Sequence, residues 1–268
     1  MKVVLFCGGL GLRMREESTR LPKPMIPLGD RPILWHIMKY YSSFGFRDFV
    51  LCLGYKAEAI KEYFLNYNEA LMNDFVLRDG GKTVELLGSD THDWSMTFVN
   101  TGLNSTIGER LKAVEPYLEG EEVFLATYGD GLTDAPLYDT IEALTQSDKT
   151  ALFLCVRPTH QFHVVSLRDG NGVEAIRDVG DADLWINGGF FVFRREIFDY
   201  LGPGEDLVGH AFPRLIAEGK VLAYPYEGFW APMDTLKDKQ NLENLLEEGD
   251  PPWARPRGVE RPDATPAG

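Results

Sequence analysis

The residues that most narrow the choice of fold are the first nine. Val3-Val4-Leu5-Phe6-Cys7 is an unbroken apolar run that stops at Gly8-Gly9. Such a run predicts a strand buried on both faces, because a half-exposed strand alternates polar and apolar residues. The pattern then repeats with helices between. Residues 32–44 carry Ile33, Ile37, Tyr40, Tyr41 and Phe44 at helical spacing, with Pro32 near the first turn and Gly45 at the end. Residues 49–53 read as a second strand and 57–71 as a second helix. Another buried strand is expected over 123–127, running into Tyr128-Gly129-Asp130-Gly131, and one more over 151–156. Strand–helix–strand succession predicts an α/β fold with a mostly parallel, doubly wound sheet and helices on both faces.

Small β embellishments are expected around that sheet. Residues 164–167 and 173–177 flank Asp169-Gly170-Asn171-Gly172, a strong turn, and so predict a hairpin. Residues 83–87, 97–100, 189–193 and 221–224 also read as extended, and helices are expected over 207–218 and 235–248. From Asp250 onward Pro251, Pro252, Pro256, Pro262 and Pro266 interrupt any regular element. The expectation is one domain over 1–249 and a largely disordered tail over 250–268, anchored at its start by Trp253.

Charge narrows the function. The chain has 41 acidic and 27 basic residues, a net charge of −14. Such a surface repels nucleic acid, so no nucleic-acid partner is expected, and phosphates must be met at a local site. No apolar run approaches the roughly 18 residues of a membrane helix, and the N-terminus lacks a basic region and a cleavage site. Cys7, Cys52 and Cys155 are odd in number and lack metal-like spacing, which suits reduced thiols. The expectation is a cytoplasmic protein with no membrane partner.

Five short segments carry chemistry. Gly8-Gly9-Leu10-Gly11-Leu12-Arg13 follows the first strand and lets backbone N–H groups form an anion nest, or simply a tight turn. It is neither a dinucleotide fingerprint nor a P-loop, which disfavours a Rossmann oxidoreductase. In Arg20-Leu21-Pro22-Lys23-Pro24-Met25 a lysine is held between two prolines, as suits a phosphate-binding cation, the alternative being a Pro-rich surface loop. Asp130, between glycines at the carboxyl end of a buried strand, suits a hard cation that bridges phosphate oxygens, or a plain Asp-Gly turn. Asp134 reads as a cap for the helix after it. Asp234 reads as a helix N-cap when taken alone and as a second metal ligand when taken with Asp130. Asn187, within Ile186-Asn187-Gly188-Gly189-Phe190-Phe191, suits sugar hydroxyls, or marks a β-bulge.

Taken in order, Gly-Gly-Leu-Gly-x-Arg, Lys-Pro-Met, Tyr-Gly-Asp-Gly, Ile-Asn-Gly-Gly-Phe-Phe and Pro-Met-Asp-Thr resemble the sugar-phosphate nucleotidyltransferases, and among them the glucose-1-phosphate cytidylyltransferases. The resemblance covers about residues 1–255 and implies a Rossmann-like nucleotidyltransferase fold, Mg²⁺ dependence and a homo-oligomer. It implies CTP and glucose 1-phosphate as substrates, yielding an NDP-sugar and pyrophosphate. By that resemblance Leu5, Gly8, Gly9, Gly11, Leu12, Arg13, Lys23, Thr101, Arg110 and Gly129 would bind the nucleotide. Arg110 would do so through phosphate. Arg13, Lys23 and Asp130 would act in catalysis, Asp130 and Asp234 would hold Mg²⁺, and Tyr128, Asn187, Gly188 and Gly189 would contact the sugar. Two departures stand out. Leu12 replaces a threonine, and Ile176-Arg177-Asp178-Val179-Gly180 replaces a Glu-Lys-Pro whose lysine grips the sugar phosphate. Either Arg177, Arg168 or His163 substitutes for that lysine, or the acceptor differs. The same chemistry on another NTP or acceptor, and a catalytically impaired nucleotide-sugar sensor, stay open on the sequence alone. Among histidines, His160 and His163 read as a partly exposed loop.

Overall fold

A computed structural model of the chain describes residues 1–9, 21–158, 163–179 and 183–259. An eight-stranded sheet forms the centre. Its strands are β1 (Val3–Phe6), β2 (Asp48–Leu53), β3 (Ser95–Asn100), β4 (Val123–Tyr128), β5 (Ala151–Val156), β6 (Ile186–Asn187), β7 (Phe191–Arg194) and β8 (Val221–Tyr226). β1 pairs parallel with β2 on one side and β4 on the other, β2 pairs parallel with β3, and β5 pairs parallel with β8. β7 runs antiparallel between β4 and β5. The sheet is therefore mostly parallel with an antiparallel insertion, as the alternation of elements predicts.

Two cores flank the sheet, and the strand period of two assigns residues to them. Val3 and Leu5 join one cluster with Ile33, Ile37 and Tyr41 of α1 (Ile33–Ser43) and Leu137, Ile141 and Leu144 of α4 (Leu137–Thr145). Val4 and Phe6 join the other with Leu111 of α3 (Ile107–Ala113) and Phe212 and Leu215 of α5 (Phe212–Ala217). Both faces of β1 are thus buried, which is why its sequence is apolar throughout.

The structure corrects several boundaries. The helix expected over 57–71 ends at Leu65, as α2 (Ala57–Leu65), and one turn follows at Glu69–Met72. Asn66 closes the first through its amide on the Glu62 carbonyl at 2.8 Å, and Asn68 opens the second by accepting from Ala70 N–H at 3.0 Å. The strand expected over 189–193 starts only at Phe191, as β7, and a separate short strand, β6, precedes it; β6 and β7 pair with the carboxyl and amino ends of β5 respectively. Between them Gly189 and Phe190 adopt φ of 74° and 48°, so the Asn-Gly-Gly signal marks a kink. The helix expected over 207–218 starts as a wide turn, Leu207–Ala211, before α5. Pro213, which has no N–H to donate, sits where the two meet.

The described part of the segment expected as a tail packs on the body, and Trp253 is the anchor expected at its start. Trp253 is 2% exposed and its indole N–H donates to His36 Nδ1 at 3.3 Å. His36 Nε2 lies 3.0 Å from the Leu28 carbonyl, so the ring proton sits on Nε2. Burial holds the His36 pKa below its ordinary value, against the smaller upward pull of Leu28. Arg257 donates to Asp134 at 3.2 Å. Asp134 is not the expected helix cap, since it also accepts from Tyr226 and from Phe229 N–H and so ties three C-terminal residues to the body. Residues 260–268 lie outside the described residues. Among the described residues no helix is long and apolar enough to cross a membrane.

Candidate functional site

β1 and β4 are neighbours in register, with Phe6 opposite Tyr128, so Gly8-Gly9 and Gly129-Asp130 leave the sheet side by side at its carboxyl edge. Ligands of open α/β sheets bind at such an edge. A cavity of about 600 Å³ opens here, lined among others by Gly8, Gly9, Lys23, Asp130, Asp206 and Asp234. Lys23 begins a short turn, Lys23–Met25, closed by Met25 N–H on the Pro22 carbonyl at 2.8 Å. Pro24 lies beneath Gly129, where a Cβ would come 2.9 Å from its Cγ. The proline pair therefore fixes the height at which the lysine enters the cavity.

Lys23 Nζ donates to Asp130 Oδ2 at 2.7 Å and also to Asp234 Oδ1. Three residues far apart in sequence thus share one point. Burial is the largest single influence on Lys23 and lowers its pKa, but Asp130 and Asp234 together outweigh it and leave the pKa raised. Lys23 is therefore a fixed cation at neutral pH. Asp234 is released from the capping role that its position suggests. Thr235 and Asp238 form a reciprocal capping box at the start of α6 (Leu236–Glu247), which leaves the Asp234 carboxylate to face the cavity. Two carboxylates meeting at one cationic point offer hard oxygen donors of the kind a divalent ion takes together with phosphate and water oxygens. Among the described residues no group of three or more His, Cys, Asp or Glu could hold a metal.

Arg110 also lines the cavity, but its guanidinium is held by protein oxygens. It is 3% exposed, and its guanidinium donates to the carbonyls of Leu53, Gly102, Gly8 and Leu103 and to Thr101 Oγ1, at 2.8 to 3.3 Å. In this conformation it organises the glycine loop from behind. A Cβ on Gly8 would lie 2.0 Å from Arg110 Nη1, so only glycine lets the loop close on it. Thr101 is likewise turned inward, donating to the Leu53 carbonyl at 2.8 Å. Leu5 is fully buried in the core, so its side chain cannot meet a nucleotide. Gly11, Leu12, Arg13 and Arg20 lie outside the described residues.

Tyr128 lines the cavity and is hydrogen-bonded to Asn187. Burial, the largest influence, pushes the Tyr128 pKa up to about 12, so the phenol stays protonated. Asn187 Oδ1 accepts from Gly189 N–H at 2.9 Å, and the Gly188 carbonyl accepts from Trp230 Nε1 at 2.8 Å. The four expected sugar contacts thus form one cluster. The proposed substitute cations are elsewhere. Arg168, Arg177 and His163 are exposed on the hairpin of His163–Arg168 and Gly172–Asp178, and Val179 is buried. Asp206 is a lining residue that sequence reasoning missed. It accepts from Val208 and Gly209 N–H groups, and only its position before residues 207–218 could have signalled that cap. Ser105 and Thr106 also line the cavity, and Thr106 with Glu109 is a readable capping box.

The match of residues 2–241 to the nucleotidyl transferase family places the chain in that family of enzymes. It is 40% identical over 255 residues to the glucose-1-phosphate cytidylyltransferase of Salmonella typhimurium, covering 94% of this chain and 98% of that protein. A probable glucose-1-phosphate cytidylyltransferase of Bacillus subtilis is 36% identical over 255 residues, with 94% and 99% coverage. The fold recurs in UTP-bound UGPase from Acinetobacter baumannii, with a TM-score of 0.68 at 18% identity over 93% of this chain and 94% of that one.

Proposed function

We propose that this enzyme transfers CMP from CTP to glucose 1-phosphate, releasing pyrophosphate. The observation that carries this is Lys23 held between Asp130 and Asp234 at the strand ends, in a chain 40% identical to a glucose-1-phosphate cytidylyltransferase over nearly its full length. An oxygen of the acceptor phosphate attacks the α-phosphorus, and the bond from that phosphorus to the bridging oxygen of pyrophosphate breaks. The acceptor is already anionic near neutral pH, so no strong base is needed. The protein's work is orientation and charge stabilisation. Lys23 neutralises charge on the transferring phosphoryl oxygens, the Gly8-Gly9 turn presents backbone to the phosphates, and Tyr128 and Asn187 orient the sugar. Asp130 and Asp234 would hold Mg²⁺, which when bound supplies charge neutralisation and polarisation of phosphoryl oxygens.

The enzyme is read as a cytoplasmic homo-oligomer. Supporting this, Leu77 and Val84 are 58% and 49% exposed on the hairpin of Phe75–Arg78 and Thr83–Leu86, an apolar face suited to a second copy. The test of function is pyrophosphate release with Mg²⁺ across four NTPs and several sugar 1-phosphates. CTP with glucose 1-phosphate should be the best pair, and Asp130→Asn should turn over about a hundredfold more slowly. Wild-type turnover by that variant would remove Asp130 from the mechanism. NTP binding without pyrophosphate release from any pair would overturn the transferase reading.

A further inference from the structure

The cavity is lined by two cations among the described residues, and both already have counter-groups. Lys23 lies between two carboxylates, and Arg110 donates to five protein oxygens. A phosphomonoester acceptor brings nearly two further negative charges into a protein of net charge −14. A cation beside Tyr128 and Asn187, which orient the sugar in the reading above, would offset that charge.

The register of β5 and β6 points to one. Cys155 lies opposite Asn187 and Val156 opposite Ile186. Continuing that register sets Arg157 opposite Trp185. Residues two apart share a strand face, and cross-strand partners do as well, so Arg157 rises on the same face as Asn187, about 7 Å along the strand. The Arg157 guanidinium carbon lies over the Trp185 ring, 4.0 Å from its centroid. Its Nη1 donates to Asp183 Oδ1 at 3.1 Å and to the Leu184 carbonyl at 3.5 Å, and Asp183 is 92% exposed. The indole contact limits where the guanidinium can go, and its fork matches a phosphate. The pair with Asp183 is a surface ion pair, worth about 0.2–1 kcal/mol and easily exchanged.

We propose that Arg157, held against Trp185, binds the phosphate of the acceptor sugar 1-phosphate, and that this phosphate displaces the carboxylate of Asp183. The assignment rests on the transferase reading above. It differs from Arg168 and Arg177, which stand out on the hairpin, in belonging to the same strand pair as Asn187.

The test is steady-state kinetics of Arg157→Gln, Arg157→Lys and Asp183→Ala, with each substrate varied in turn. Arg157→Gln should raise KM for the sugar 1-phosphate by about tenfold, the loss of one charge-assisted contact, and leave KM for the NTP within about twofold. Arg157→Lys, which keeps the charge and loses the fork, should fall between. Asp183→Ala should lower the acceptor KM by about twofold, because an internal competitor is gone. An unchanged acceptor KM in Arg157→Gln, or an equal rise in both KM values, would overturn the assignment while leaving the reaction intact. A wild-type enzyme silent with every sugar phosphate would overturn the reaction and the assignment together.

Discussion

Phe191 and Ile176 are both apolar strand residues, yet their surroundings are opposite. Phe191 is 1% exposed and stacks on Phe193 at 5.2 Å, with Tyr128 edge-on at 5.5 Å. Ile176 is 62% exposed on a two-stranded hairpin paired only with itself among the described residues. Tyr128, edge-on to Phe191, leads directly into Asp130, and its neighbour β1 leads into Gly8. The turn that carries Asp130 is thus mounted on the most deeply packed strands, whereas residues of the hairpin are mostly exposed, so substitution there disturbs little else.

The contrast makes graded predictions. Phe191→Ala should destabilise the protein by about 3–5 kcal/mol in urea unfolding, as expected for a large aromatic removed from a closed core. A loss within ~1 kcal/mol would mean that the central strands are not the rigid support described here. Thr235→Ala should cost about 1 kcal/mol by removing the cap of α6. It should also lower kcat, because the Asp238 N–H loses its acceptor and would draw the neighbouring Asp234 carboxylate away from Lys23. Stability loss with unchanged kcat would show that the Asp234 geometry does not depend on that cap. Ile176→Ser should change stability by no more than about 0.5 kcal/mol. A larger loss would place the hairpin with the core instead of apart from it.

Much of this was legible in residue patterns. The run Val3 to Cys7 announced a doubly buried strand, and Asp169-Gly170-Asn171-Gly172 announced its hairpin, because both signals are local. The convergence of Lys23, Asp130 and Asp234 was legible as a set of motifs, but not as a contact, since sheet order decides which strand ends meet. Arg110 could be given a role only by resemblance, and only the path of the Gly8 and Gly102 carbonyls shows what its guanidinium already holds. Asp206 gave little sign, as a cap before an irregular turn lacks helical periodicity. The Trp253 anchor was legible as a lone large aromatic among prolines, whereas the docking of Arg257 was not, because its partner Asp134 is distant in sequence.

Those distant partners have a consequence in time. Trp253 follows His36 by 217 residues, and Asp234 follows Lys23 by 211. At about 5–20 residues per second a ribosome needs on the order of ten to forty seconds to add that stretch. For that interval the nascent chain has α1 without the indole that covers His36, and Lys23 without one of its two carboxylates. Packing of the first helix and assembly of the charged site therefore finish together, late in synthesis, so a chain arrested before Trp253 would present an uncovered aromatic surface to chaperones and proteases.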